Sequence, residues 1–117
     1  MLKTSDIHIR DPFVLPVATE KLYYLYGTIG PESWTKSARG IDYSPSPALE
    51  TWEGPSPAFR PPQGFWADRN FWAPEVHFYD GRYYLFASFK AEDHRRGTQI
   101  RAADGPQGPF LPISDGP

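Results

Sequence analysis

Hydrophobic and polar residues alternate along this chain in short bursts, most of them closed by Gly, Pro or Asp. The clearest burst is Trp72-Ala-Pro-Glu-Val-His-Phe-Tyr79, which stops at Asp80-Gly81 and resumes as Arg82-Tyr-Tyr-Leu-Phe-Ala-Ser88. Asp-Gly between alternating runs signals a hairpin, because Gly accepts the positive φ of a two-residue turn. Antiparallel strands are therefore expected over 75–79 and 82–88. Further strands are expected at 21–28, at 40–44 and near 57–59, after a Pro-punctuated apolar run at 10–16. Residues 1–9 read as a lead-in, 29–39 and 60–70 as loops, and Ser44-Pro-Ser-Pro47 as a turn. No helical period competes anywhere.

The pattern occurs twice in the same order. Pro12 and Pro74, each opening a strand candidate, lie 62 residues apart. Tyr83-Tyr-Leu-Phe-Ala-Ser88 answers Tyr23-Tyr-Leu-Tyr-Gly-Thr28, Gly97–Arg101 answers Gly40–Ser44, and Pro109–Pro112 answers the strand after Trp52. Four short strands per repeat of near 60 residues is the pattern of a β-propeller blade. The expected fold is all-β, with two consecutive four-stranded antiparallel blades at about 8–60 and about 71–113 within one partial domain over 1–117. One blade cannot bury both of its faces alone. Two blades therefore imply a piece of a longer chain or assembly with copies of itself. The competing architecture is a two-sheet β-sandwich.

Composition adjusts this picture only slightly. Aromatic residues make up 16% of the chain, which argues for buried rings despite 14 Pro and 10 Gly. Flat rings also suit the apolar faces of sugars. The net charge of -2 gives no reason to expect nucleic acid or a membrane as a partner. The chain has no Cys, and no apolar leader is visible at its start, so the compartment stays open between cytoplasm and a truncated secreted protein. His8, His77 and His94 lack zinc spacing, and no metal or cofactor is expected.

In combination, Arg10-Asp11-Pro12, Tyr23–Thr28, Ile41–Ser44 with Trp52 and above all Trp72-Ala-Pro-Glu-Val76 with Tyr79–Tyr84 resemble glycoside hydrolase family 43. The resemblance implies a five-bladed β-propeller and an inverting hydrolase acting on arabinose- or xylose-containing carbohydrate. The activities in view are arabinofuranosidase, xylosidase and arabinanase. It also implies three carboxylates: a general base, a second Asp that tunes pKa, and a Glu as general acid. Only the base carries over, onto Asp11; the other two are expected beyond Pro117. The chemistry suits that division. A base must be ionised at working pH, which an ordinary Asp is, whereas the acid needs a raised pKa. Inversion holds base and acid ~6.5–9.5 Å apart to admit water.

Each candidate has a structural reading beside the functional one. Asp11 before Pro12 also fits a plain turn residue. Trp72 matches a wall of the sugar subsite, or packs between blades. Glu75 contacts substrate, or pairs with Arg69 or Arg82. Asp68-Arg69 rims the pocket or is plain solvated loop, and Glu92–Arg96 is taken as solvated surface. Asp104–Pro109 reads as a turn with no helix behind it to hold phosphate. The functional alternative is a non-catalytic carbohydrate-binding or interaction module built from two blades. A glycoside phosphorylase would need a basic phosphate pocket, which the sequence does not identify.

Overall fold

A computed structural model describes residues 2–7, 11–28, 40–67, 69–91 and 94–113. Its strands are β1 (Leu2–Lys3), β2 (Phe13–Val17), β3 (Leu22–Thr28), β4 (Ile41–Ser46), β5 (Thr51–Trp52), β6 (Ser56–Phe59), β7 (Arg69–Tyr79), β8 (Arg82–Ala91), β9 (His94–Ala103) and β10 (Leu111–Pro112). They form two four-stranded antiparallel sheets, β2-β3-β4-β6 and β7-β8-β9-β10. Within each sheet the strands follow chain order, and no strand crosses into the other four-stranded sheet. This is the repeated sequential meander that the sequence pattern predicts.

The Asp80-Gly81 turn has φ of 49° and 83°, positive at both central residues, and joins Tyr79 to its pair partner Arg82. That twist matches the flanking strands, which run longer than expected, to 69 and 91. Other boundaries move too. β4 continues through Pro45 to Ser46, so the turn placed at 44–47 begins later. Pro45 sits opposite Tyr24. β10 has only two residues. β9 starts at His94, so Arg96 belongs to a strand, which corrects the reading of 92–96 as one solvated loop. Glu92 and Asp93 themselves lie outside the described residues, as do Asp68 and the loop 29–39.

The sequence also misses a clasp. β1 pairs with β5, setting Leu2 against Trp52. Thr4 secures it: its hydroxyl donates to the Leu49 carbonyl at 2.7 Å and accepts from Trp52 Nε1 at 2.9 Å.

The two larger sheets share one core. Along β8, Leu85, Ala87 and Phe89 are buried at period two, and they meet Tyr24, Tyr26, Ile41 and Phe59 of the first sheet. Phe59, Phe65, Phe71 and Phe89 pack edge-to-face or tilted, with Phe71 and Phe89 centroids 4.9 Å apart. Truncating one such ring to Ala typically costs about 3–5 kcal/mol. Polar ties cross the same seam. Phe110 N–H donates to Ala58 O at 3.3 Å, Gln107 donates to the Tyr24 hydroxyl at 2.8 Å, and the Tyr26 hydroxyl donates to Pro106 O. Arg101 lies buried with its guanidinium 4.1 Å from the Phe59 centroid, and its Nε donates to Phe110 O at 2.8 Å. Burial among rings pushes its pKa down to about 10, still charged at neutral pH.

Candidate active site

Asp11 lies two residues before β2, exposed, with φ of 49°. Left-handed backbone is sterically costly for most L-residues, and Asp is among the few that tolerate it. The chain therefore enters the first sheet through a kink, and a carboxylate stands at that kink. Strained backbone of this kind gathers at functional sites, so the outlier itself marks the position as a candidate.

Trp72 sits on β7, the first strand of the second sheet, half-buried. The ladder slips there: Trp72 pairs with Ser88 and Glu75 with Phe86, so three steps on β7 match two on β8. Ala73, inside this bulge, has φ of 49°. Bulges re-aim side chains and are common next to active sites. The Arg96 guanidinium lies 3.9 Å from the Trp72 ring centroid. Arg96 Nη1 donates to Ser88 Oγ at 2.8 Å, and Ser88 Oγ donates to the Trp72 carbonyl at 3.4 Å. Partial burial lowers the Arg96 pKa from its ordinary value.

Glu75 is exposed, and among the described side chains it does not pair with Arg82; the Arg69 side chain lies outside the described residues. Its Oε1 is 3.0 Å from His77 Nε2, two residues along the same strand face. Arg82 instead reaches Asp104 at 3.3 Å. The His77 ring meets Phe13 of β2 at 5.4 Å and Phe86 at 5.8 Å. Glu75 is thus linked through His77 to the strand that Asp11 introduces, while Trp72 is fastened within its own sheet. The Glu-x-His spacing on a strand was the available signal for this pair, since residues i and i+2 share a face. Arg96 gave a weaker signal, because a mixed-charge run usually reads as solvent-facing.

Two other described carboxylates have structural partners: Asp42 binds Arg60 at 2.6 Å, and Glu20 accepts from the Tyr24 hydroxyl at 2.6 Å. Among the described residues no cluster of three metal-ligating side chains occurs. An open groove of about 330 Å³ lies at the far end of β2 from Asp11, lined by Pro16, Val17, Lys21, Tyr23 and Pro47 among others. It does not include the candidate residues.

Solved structures place this pair of sheets in a class. The chain matches an endo-arabinase from Bacteroides thetaiotaomicron VPI-5482 at 35% identity and a TM-score of 0.86, over 98% of this chain and 38% of that one. It matches a thermostable family-43 glycoside hydrolase at 33% identity and a TM-score of 0.73, over 90% of this chain and 32% of that one. The Bacillus subtilis arabinanase Arb43A shares the fold at 20% identity, with a TM-score of 0.70 over 92% of this chain and 37% of that one. All three are much longer, and this chain spans well under half of each. The family model for glycosyl hydrolases family 43 matches residues 5–115, and the chain belongs to that family. No curated protein sequence matches it.

Proposed function

We propose that the chain supplies the first two blades, and the general base, of a five-bladed propeller glycosidase. The enzyme hydrolyses O-glycosidic bonds in arabinose- or xylose-containing carbohydrate with inversion. One observation carries the reading: over nearly its whole length a family-43 chain folds as two sequential meander sheets, with exposed Asp11 at the kinked entry to the first. On this reading Asp11 takes a proton from water. The water oxygen then bonds to the anomeric carbon from the face opposite the leaving group. The bond to the leaving oxygen breaks, and a general acid protonates that oxygen. The acid and the pKa-tuning Asp come from later blades across the central funnel. Trp72 forms one wall of the sugar subsite, and Glu75, oriented by His77, contacts substrate near it.

The test is turnover of 4-nitrophenyl α-L-arabinofuranoside and β-D-xyloside. The purified 117-residue chain is expected to give no rate above buffer. Turnover by this chain that disappears in Asp11→Ala would refute the division of carboxylates between this segment and later blades. Saccharide binding without hydrolysis, indifferent to Asp11→Ala, would favour a non-catalytic carbohydrate-binding module.

A further inference from the structure

Phe78 and Tyr79 close β7, and both stand in solvent, at 57% and 72% exposure. As neighbours on a strand they project from opposite faces of the sheet. Phe78 pairs with Tyr83, and Val76 with Leu85, so Phe78 lies on the face that packs on the first sheet. Tyr79 pairs with Arg82 on the outward face. Blades stacked beyond the second sheet would cover that outward face and leave Phe78 open. The rings of Phe78 and Tyr83 lie 4.8 Å apart, and Tyr83 is itself packed against the shared core.

Polar groups gather at the same end of the seam. Glu20 stands exposed in the turn after β2, and Gln107 stands exposed in the loop between β9 and β10. One buried phenol holds both. The Tyr24 hydroxyl donates to Glu20 Oε1 at 2.6 Å and accepts from Gln107 Nε2 at 2.8 Å. Those bonds leave Glu20 its second carboxylate oxygen and Gln107 its amide carbonyl. Burial, and after it the Glu20 charge, raise the Tyr83 pKa, so the carboxylate acts on the ring pair across the seam.

The geometry points to a second, non-catalytic saccharide site at this end of the seam, for a chain of neutral pentose sugars. Phe78 stacks on the apolar face of one sugar ring, and Glu20 and Gln107 bind its hydroxyls. A single exposed ring is ordinary on a protein surface. Here a flat apolar ring stands beside two hydrogen-bonding groups already held in place, and a sugar presents C–H groups on its face and hydroxyls on its rim. A carboxylate accepts hydroxyl protons, and an amide both gives and accepts. Holding both through Tyr24 before binding removes an ordering cost from the binding step. The site is separate from the candidate active site. Asp11 precedes β2 whereas Glu20 follows it, and Phe78 lies six residues beyond Trp72 on β7, roughly 20 Å of strand. The pentose class rests on the activity proposed above; the site itself rests on neither Asp11 nor Trp72.

The test is native electrophoresis of the 117-residue chain through gels containing linear arabinan or arabinoxylan, with mobility referred to a gel without polysaccharide. Wild type is compared with Phe78→Ala, Phe78→Leu, Glu20→Ala and Tyr79→Ala. Phe78→Leu keeps apolar bulk while removing the flat face, which guards against a misfolded Phe78→Ala; thermal unfolding confirms the fold of each. The wild type is expected to be retarded by at least one of the two polysaccharides. Both Phe78 variants are expected to weaken that binding at least about fivefold and Glu20→Ala about threefold, with Tyr79→Ala within about 1.5-fold of wild type. Asp11→Ala is also expected to bind like wild type, so only binding that survives Phe78→Ala bears on the choice between enzyme and binding module. A wild type retarded by neither polysaccharide, or retarded no more than folded Phe78→Leu, overturns the site. Equal losses in Phe78→Ala and Tyr79→Ala overturn it too, as adhesion through any exposed ring. Each of these failures leaves the role of Asp11 standing, and failure of the Asp11 assignment leaves this site standing.

Discussion

Asp11 and Ala73 share a φ of 49°, and each immediately precedes a proline, one just before the first strand of its sheet and the other within it. They are 62 residues apart, the spacing of the internal repeat. The repeat is therefore conformational as well as sequential, and the two copies put different side chains at the same left-handed position. Asp tolerates left-handed backbone; Ala does so only at a cost. In the second sheet the kink lies beside Trp72 and carries no carboxylate.

That difference predicts the response to substitution. Ala73→Asn places a residue suited to positive φ at an exposed site and is expected to raise stability by roughly 0.5 kcal/mol. Asp11→Asn is expected to leave stability nearly unchanged, whereas Asp11→Ala loses about 0.5–1 kcal/mol. Urea unfolding midpoints check all three. For the same reason Asp11→Asn is the cleaner probe of the carboxylate's chemistry.

Gly108 holds the seam between the sheets. Its φ is 83°, and a Cβ added there would stand 2.6 Å from the Ala58 carbonyl, which accepts the Phe110 N–H. Neither backbone can yield without losing that bond. Gly108→Ala is expected to cost about 1–3 kcal/mol, lowering the melting midpoint by at least about 4 °C. Gly81 has the same φ but open space around it, so Gly81→Ala incurs only the backbone strain. A calorimetric scan in which the Gly81 variant is the less stable of the two would contradict this seam.

Alkaline stability follows from the buried phenols. Burial raises the pKa of Tyr26 well above its ordinary 10.0, and Tyr24 is raised as well. The folded chain keeps these protons while the unfolded chain loses them above the ordinary value. Their contribution is thus complete below about pH 10 and is lost as pH climbs toward the raised values, by about 1.4 kcal/mol per pH unit for each phenol. Arg101, lowered to about 10, acts in the opposite direction above that pH, and two tyrosines outweigh it. The expected outcome is a steep fall in melting temperature between pH 9.5 and about 11 that is distinctly shallower in Tyr26→Phe, despite that variant's loss of the bond to Pro106.

The strands that carry a repeated alternation were open to sequence reading, because period two and the Asp80-Gly81 turn are local properties. The β1–β5 clasp was not. Its strands are two residues long, and it depends on one Thr4 hydroxyl meeting residues more than forty positions away. Arg96 misled for a related reason. Charge predicts exposure on average, yet its guanidinium lies against a ring on another strand, as that of Arg101 does against Phe59. The kink at Asp11 could be suspected from the following Pro12, but its left-handed sign comes only with the backbone in view.

The most direct measurement joins this chain to the remaining part of the Bacteroides thetaiotaomicron endo-arabinase, in place of the segment it matches, and follows arabinan hydrolysis. A folded chimera is expected to release reducing ends, and Asp11→Asn is expected to slow it by about a thousandfold or more, as loss of a general base in an inverting reaction requires. A folded, active chimera whose rate is unaffected by Asp11→Asn would contradict the assignment.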